Sequence, residues 1–403
     1  MGWDTWDEAA KSMEGADVTA ISRGPVVLEH GAIEQIIPYL KSSGYESVVI
    51  AADSITWEAG YGSKIQQWIA AAGINAGYVW IKPNDQGDVI ADEASVVQLT
   101  IELKIKSAEA VIALGSGTLH DIARFAAFTA GIPFISVPTA PSVDGFNSKG
   151  APLILRGEKK TIAAIGPDAI FADLEILTKA PTAMVAAGFG DMLGKYTSLF
   201  DWKFGSIYAN EPYSERIAGM TRGALQQCVE QVDQIAARTS EGIRLLMNAL
   251  LESGFAMLLF GQSHPASGAE HHLSHHWEIE FLRTGRRQLL HGAKVGVACA
   301  EIAKLYRQLA HEGMLKPITP MHSEILMELN QIPDEKEIRR LLTIVGGPAT
   351  IGELGVEDEL FRRSLLEAHL IRPNRSTLLK AWNESDKGGL NRCGNQRLAG
   401  LEE

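Results

Sequence analysis

The chain has 403 residues, with 37 Lys and Arg against 49 Asp and Glu, which gives a formal net charge of −12 and disfavours nucleic acid as a partner. With 46% apolar and 21% charged residues, the composition is that of a globular protein and excludes collagen-like, coiled-coil and disordered chains. Because single cores stop growing at about 250 to 300 residues, we expect two domains.

The N-terminal segment does not have the pattern of a targeting sequence. Its first fifteen residues combine tryptophans with acidic residues and lack the basic and apolar parts of a signal peptide. The most apolar stretch, Leu245 to Phe260, is interrupted by Asn248 and Glu252, so no membrane insertion is predicted. Three widely spaced cysteines give no disulfide framework and favour a reducing compartment. We therefore expect a soluble, cytoplasmic protein.

Short β-branched runs alternate with helical segments in the first part of the chain. The predicted strands are Val26 to Leu28, Ser47 to Ala51, Tyr78 to Ile81, Ala110 to Leu114 and Phe134 to Val137. The predicted helices between them are Ala32 to Ser43, Trp57 to Ala72, Ser95 to Ser107 and Thr118 to Ala130. Glycines at 44, 73 and 131 mark three helix ends. This pattern predicts an α/β nucleotide-binding domain with a parallel sheet over residues 1–180.

The pattern changes after Pro141. Lys149 to Ile165 has the features of a hairpin, and Ala169 to Phe171 of one more strand. Helical periods then dominate, in the segments Ala186 to Trp202, Tyr213 to Ala237, Arg244 to Phe260, Val295 to Leu309 and Asp334 to Val345. We expect an all-α domain over residues 181–403, fraying in its polar tail from Gly388, and a site in the cleft between the domains.

A glycine-containing loop, Gly115 to Asp121, stands between a predicted strand and a predicted helix. Small residues there allow backbone N–H groups to approach a pyrophosphate at the positive end of the helix. A plain tight turn also requires glycine, so the loop alone does not distinguish the two interpretations. The usual third glycine is missing, and Asp53, which is suited to a ribose, follows an earlier strand.

A second loop, Pro138 to Ser148, follows the next strand and is rich in hydroxyl and turn residues. It is either a proline-rich connection or part of a binding site, because ligands of open α/β sheets bind at the carboxyl ends of the strands. Asp144 is its candidate polar anchor.

Six of the eleven histidines fall between His264 and His291. In the run Glu270 to His276, His271 and His275 share one helical face, a spacing that suits a metal ion but also occurs on solvated helix faces. His291 adds a third imidazole. Asp191, in a Gly-Phe-Gly-Asp segment, is the candidate carboxylate ligand, with helix capping as the alternative.

Together these segments resemble the family that unites glycerol dehydrogenase, the iron-dependent alcohol dehydrogenases and dehydroquinate synthase. The resemblance spans nearly the whole chain. Its matching segments are the glycine loop, Pro-Thr-Ala-Pro-Ser-Val-Asp-Gly from Pro138, Gly-Phe-Gly-Asp from Gly188, Pro-Ala-Ser-Gly-Ala-Glu-His from Pro265, His-Gly from His291 and Arg-Pro-Asn-Arg from Arg372. It implies a dehydroquinate synthase-like fold.

The resemblance also implies roles for individual residues. One divalent metal, Zn²⁺ or Ni²⁺ with Fe²⁺ as an alternative, is expected on Asp191, His271 and His291. Asp191 and His275 are the expected catalytic residues, and Asp144, Asp191 and His275 are expected to meet the substrate. The residues expected to hold NAD(H) or NADP(H) are Asp53, Gly117, Thr118, Leu119, His120, Asp121, Thr139, Ala140, Pro141, Ser142 and Ser148. Ser116 and Arg124 depart from the residues common in relatives.

The implied reaction is the metal-dependent, reversible reduction of a small phosphorylated substrate, dihydroxyacetone phosphate, to sn-glycerol 1-phosphate for glycerophospholipid-type synthesis. Reduction of unphosphorylated dihydroxyacetone and a lyase reaction of the dehydroquinate synthase type are the alternatives. His275 is expected to donate a proton or to bind the phosphate. Lys149, Lys195 and Lys294 are candidate phosphate ligands because they are near the motifs in sequence. The resemblance further implies a homodimer or larger homo-oligomer.

Overall fold

The computed structural model describes residues 24–385. The first part of this range contains a six-stranded sheet. The strands are β1 (Val26–Glu29), β2 (Ser47–Ala52), β3 (Asn75–Trp80), β4 (Ala110–Gly115), β5 (Phe134–Pro138), β6 (Gly150–Leu155), β7 (Glu158–Ala163) and β8 (Ala169–Asp173). Six of them form one sheet in the order β1-β8-β5-β4-β2-β3, and every pairing in it is parallel. The predicted parallel sheet is confirmed.

The helices that cover this sheet follow the predicted alternation. They are α1 (Ile36–Ser42), α2 (Ser54–Ala59), α3 (Gly62–Ala71), α4 (Glu93–Ile105), α5 (Gly117–Ala130) and α6 (Leu174–Leu177). The three predicted terminal glycines, Gly44, Gly73 and Gly131, all have positive φ angles. The prediction of one helix from Trp57 to Ala72 is wrong: the chain turns at Tyr61, and a Cβ at Gly62 would lie 2.3 Å from the Trp57 ring.

The predicted hairpin is present as β6 and β7, which pair antiparallel. Its turn residues, Arg156 and Gly157, both have positive φ angles, of 53° and 78°, which is the conformation of a tight two-residue hairpin turn. The hairpin lies outside the parallel sheet and carries Lys159 and Thr161 to the wall of the cavity described below.

Within the described residues, the chain from Thr182 to Ser385 is helical. The helices are α7 (Thr182–Leu193), α8 (Lys195–Ala209), α9 (Glu215–Glu230), α10 (Val232–Ala236), α11 (Ser240–Phe260), α12 (Ala269–Arg283), α13 (His291–His311), α14 (Leu315–Ile318), α15 (His322–Leu329), α16 (Glu335–Ile344), α17 (Ile351–Leu354), α18 (Asp358–Glu367) and α19 (Leu378–Glu384). Two predicted helices are each two helices, broken at Gly194 and at Gln231. A Cβ at Gly194 would lie 2.4 Å from a methyl group of Val295, so close packing requires glycine at the first break. The predicted fraying from Gly388 lies outside the described residues.

Helix α11 is long and apolar enough to cross a membrane, but 67% of its most apolar window is buried inside the protein. Leu246, Leu250 and Phe255 of this helix belong to the largest hydrophobic cluster. The same cluster includes Ile170 and Ala172 of β8, so α11 packs as a core helix against both the sheet and the other helices.

Candidate active site

A cavity of about 860 Å³ lies between the carboxyl ends of the sheet strands and the helical part. Many of the predicted site residues line it: Asp53, Gly117, Thr118, Leu119, Asp121, Thr139, Ser142, Asp144, Ser148, His271, His275 and His291. Segments that follow β2, β4 and β5 therefore meet histidines from α12 and α13. This is the edge of the sheet at which open α/β folds bind ligands.

The glycine loop leaves backbone N–H groups free at the start of α5. Ser116 precedes the helix without a side-chain capping bond, so the first-turn N–H groups have no side-chain acceptor there. A Cβ at Gly117 would lie 2.8 Å from a methyl group of Val143, so a larger residue would displace the loop. An uncapped helix end of this kind fits the pyrophosphate of a dinucleotide.

The predicted cofactor residues do not all line this cavity. His120 is fully buried: its Nε2 lies 2.7 Å from Ser136 Oγ and its Nδ1 2.9 Å from the Ser116 carbonyl oxygen. Burial lowers the pKa of His120 to about 3, so the ring is a neutral structural support of the loop. Ala140 and Pro141 are likewise buried away from the cavity wall.

Arg124 joins the glycine loop to the loop that follows β5, a role that sequence reasoning missed. Its guanidinium donates to Asp121 Oδ1 at 2.7 Å, to the Gly150 carbonyl oxygen at 2.9 Å and to the Phe146 carbonyl oxygen at 3.1 Å. The side chain is fully buried, and these bonds connect α5 to the loop after β5. The sequence shows only an arginine three residues after an aspartate, which does not reveal these distant carbonyl partners.

Asp191, His271 and His291 form the candidate metal centre. One ligand atom from each lies within 4.8 Å of the other two, and Asp191 Oδ1 is 3.6 Å from His271 Nε2. Burial holds the pKa of both histidines well below the usual value, so the rings are neutral with a lone pair available. Two imidazoles and one carboxylate fit a single Zn²⁺, Ni²⁺ or Fe²⁺ ion and leave coordination positions open for a substrate.

Glu270 orients the His271 ring. Its Oε1 lies 2.7 Å from His271 Nδ1, which leaves Nε2 directed to Asp191. The same carboxylate accepts from Thr197 Oγ1 and from the Gly268 backbone N–H, both at 2.6 Å. A carboxylate on the outer nitrogen of a ligand histidine is a recurring arrangement in metal sites. Sequence reasoning quoted Glu270 within a motif but did not assign it this role.

Lys195 connects the two aspartates of the site and is fully buried. Its Nζ lies 2.7 Å from Asp144 Oδ2 and 3.2 Å from Asp191 Oδ1. The Asp144 backbone N–H donates to Asp191 Oδ2 at 2.9 Å, so the ligand carboxylate is held from both sides. The prediction of Lys195 as a phosphate ligand is wrong, because the ammonium is occupied by two carboxylates and does not line the cavity.

His275 and Asp144, the residues expected to meet the substrate, lie beside the candidate metal centre. The His275 ring centroid is 5.8 Å from that of His291 and 6.2 Å from that of His271. Asp144 Oδ2 also accepts from Ser253 Oγ at 2.8 Å, which fixes the carboxylate at the cavity wall. Asp191 itself is fully buried and does not line the cavity. This placement suits a residue that coordinates a metal ion.

The contact between α7 and α13 brings Asp191 close to His291. A Cβ at Gly292 would lie 1.8 Å from the Ala187 carbonyl oxygen, and one at Gly190 would lie 2.4 Å from the Gly292 carbonyl oxygen. Real Cβ contacts are not this short, so the helices approach closely only because both positions are glycine. The Gly-Phe-Gly-Asp and His-Gly motifs thus have a packing role, in addition to the metal-ligand role expected of them.

Comparison with known proteins defines the class of protein. Residues 27–181 match the family model for iron-containing alcohol dehydrogenases. Among solved structures, a probable glycerol dehydrogenase from Sinorhizobium meliloti 1021 superposes with a TM-score of 0.66 at 16% identity, covering 89% of this chain and 91% of that chain. The fold is therefore that of the iron-containing alcohol dehydrogenase and dehydroquinate synthase-like proteins, as the resemblance implied.

Curated relatives narrow the class further. The chain is 45% identical over 389 residues to a glycerol-1-phosphate dehydrogenase (NAD(P)+) from Geobacillus thermodenitrificans, covering 93% of this chain and 96% of the relative. It is 46% identical over 373 residues to the protein of the same name from Geobacillus stearothermophilus, covering 89% and 92%. The chain belongs to the glycerol-1-phosphate dehydrogenase family.

Proposed function

We propose that this protein reduces dihydroxyacetone phosphate to sn-glycerol 1-phosphate with NADH or NADPH, using one divalent metal ion. The observation that carries the proposal is the placement of His271 and His291, of the candidate metal centre, on the same cavity as the uncapped start of α5. A dinucleotide on the glycine loop and a ketone at the histidines would share one enclosed space, as hydride transfer requires. The names of the curated relatives support the same reaction.

We assign a separate role in this reaction to each group of site residues. A divalent ion on Asp191, His271 and His291 would polarise the substrate carbonyl as a Lewis acid. The N–H groups at Gly117 to Leu119 would bind the cofactor phosphates, and Thr139, Ser142 and Ser148 line the same cavity. The imidazole of His275 and the carboxylate of Asp144 line the same cavity and would position the substrate there.

The direct test is oxidation of NADH by metal-loaded protein, followed by absorbance. We expect dihydroxyacetone phosphate to be reduced far better than dihydroxyacetone, the activity to be lost with a chelator, and the product to be the sn-1 enantiomer. Equal or better use of dihydroxyacetone would instead indicate a glycerol dehydrogenase. No oxidation with either ketone, in protein with bound metal, would contradict a reductase of either kind.

We further propose finer properties that rest on the sequence resemblance. The metal is Zn²⁺ or Ni²⁺, with Fe²⁺ as the alternative, and the protein is cytoplasmic, forms a homodimer or larger homo-oligomer and serves glycerophospholipid-type synthesis. Two described cysteines, Cys228 and Cys299, are buried and free, which is consistent with a reducing compartment. We retain residue 180 as the boundary between the cofactor-binding and metal-binding domains, because the parallel sheet ends at Asp173.

A further inference from the structure

Most of the positively charged side chains that line the cavity are paired with carboxylates. Lys159 and Lys294 both contact Glu278, at 2.7 Å and 2.8 Å. Arg287 contacts Asp88 at 3.2 Å, and Lys179 contacts Glu175 at 3.1 Å. Within residues 24–385, the two cavity-lining cations that make no ion pair with a carboxylate are Lys149 and Arg372.

Arg372 is surrounded by hydroxyl groups. Its Nη1 donates to Ser267 Oγ at 2.8 Å and to Ser263 Oγ at 3.1 Å, and its Nη2 lies 3.4 Å from Thr161 Oγ1. All three hydroxyl residues line the cavity. A hydroxyl oxygen that accepts from arginine keeps its own hydrogen free to donate. The guanidinium thus arranges three O–H donors around itself without neutralising its charge.

Lys149 lies next to this cluster. Its Nζ is 3.4 Å from the position that a Cβ at Gly261 would take, two residues before Ser263. Lys149 directly precedes β6, and Gly150 packs 3.2 Å from the methyl group of Thr161 by the same measure. The ammonium, the guanidinium and the hydroxyls therefore come from adjacent parts of the cavity wall.

This cluster is near the metal centre. Ser267 follows Ala266, whose carbonyl oxygen accepts from Lys195 Nζ at 3.2 Å, and the same ammonium lies 3.2 Å from Asp191 Oδ1. The Arg372 side chain is half-buried, and this burial together with the nearby Arg375 guanidinium lowers its pKa to about 10. An anion bound beside it would relieve this unfavourable burial.

We propose that Arg372 and Lys149, with the hydroxyls of Ser263, Ser267 and Thr161, form the subsite that binds the phosphate dianion of the substrate. This rests on the proposed function and specifies which residues select a phosphorylated ketone. A tetrahedral dianion offers several acceptor oxygens, and the subsite supplies two cations and three hydroxyl donors. It also explains how a phosphate dianion is held by a protein of net charge −12.

The test compares Arg372→Met with Arg372→Lys and with Arg287→Met, which removes a paired cation from the same cavity. We expect Arg372→Met to lower kcat/KM for dihydroxyacetone phosphate by about 100-fold, the effect of losing one charge-assisted contact of roughly 3 kcal/mol. Turnover of dihydroxyacetone, NADH affinity and metal content should change little, Arg372→Lys should recover part of the loss, and Arg287→Met should behave as wild type.

Equal losses with both ketones would show that Arg372 supports the fold rather than the phosphate, and a loss confined to NADH affinity would assign the subsite to the cofactor. Calorimetric titration with inorganic phosphate separates this proposal from the proposed function. If wild type binds phosphate and Arg372→Met does not, the subsite stands even when dihydroxyacetone phosphate is not turned over. Equal binding by both proteins would overturn it.

Discussion

At the scale of single residues, we propose that Asp53 meets the ribose end of the dinucleotide. It follows β2, caps α2 by accepting the Thr56 N–H at 2.7 Å, and lines the cavity beside the glycine loop. Its carboxylate would repel a 2′-phosphate, so we predict that NADH is preferred. Asp53→Asn keeps a good capping residue and should raise the NADPH to NADH ratio of kcat/KM by about tenfold, the effect of roughly 1.4 kcal/mol.

Asp92→Asn is the matched control for this change. Asp92 caps α4 in the same manner, by accepting the Ser95 N–H at 2.9 Å, but it is not part of the cavity lining. It should leave the cofactor ratio unchanged. If Asp53→Asn also leaves the NADPH to NADH ratio of kcat/KM unchanged, Asp53 does not contact the ribose.

The sequence predicts residues whose chemistry is visible in a short motif and misses those defined by distant partners. Asp191, His271 and His291 stand in such motifs, and the structure brings them together as expected. Arg372 was quoted as part of a matching segment without a role, because its hydroxyl partners are more than 100 residues away in the chain. The expectation that Lys195 binds phosphate is wrong partly for the same reason, since its nearest carboxylate, Asp144, is 51 positions away, although its second partner, Asp191, is only four positions away.

At the scale of elements, the contact between α7 and α13 determines the geometry of the metal centre. Gly292→Ala would place a Cβ against the Ala187 carbonyl oxygen, so the helices must separate and Asp191 must move away from His291. We predict a destabilisation of about 1–3 kcal/mol, as for other overpacked interiors, together with weaker metal binding. Thermal unfolding and metal titration of the purified variant measure the two effects.

Gly223→Ala is the control for a glycine within a helix. It lies in α9, where a Cβ would meet nothing within 4 Å, so alanine should leave stability unchanged or raise it by up to about 1 kcal/mol. If Gly292→Ala were as stable and as well metallated as Gly223→Ala, the close helix contact would not be what maintains the metal centre.

Element types were predictable from periodicity, but several boundaries were not. The strands and terminal glycines follow local patterns that the sequence displays directly. The break at Gly194 depends on a tertiary contact with Val295, whereas the break at Tyr61 involves Trp57 packing on Gly62 within the same segment. No local sequence pattern indicates the contact between Gly194 and Val295.

At the scale of the whole molecule, the candidate metal centre joins three helices that are far apart in sequence. Asp191 lies on α7, His271 on α12 and His291 at the start of α13. A ligand that binds only the folded state stabilises it by about 2.7 kcal/mol at a hundredfold excess over its Kd. Metal loading should therefore raise the unfolding temperature of the entire protein as well as support turnover.

The most direct measurement is the bound metal per chain, with the unfolding temperature before and after metal addition, in wild type, His271→Ala and His276→Ala. His276 lies on the same helix, outside the cavity lining, with its Nε2 3.3 Å from Glu367 Oε2, and serves as the matched control. We predict one ion per chain and a raised unfolding temperature in wild type and His276→Ala, and neither effect in His271→Ala. Stoichiometric metal and full turnover in His271→Ala would contradict the assignment of the metal centre.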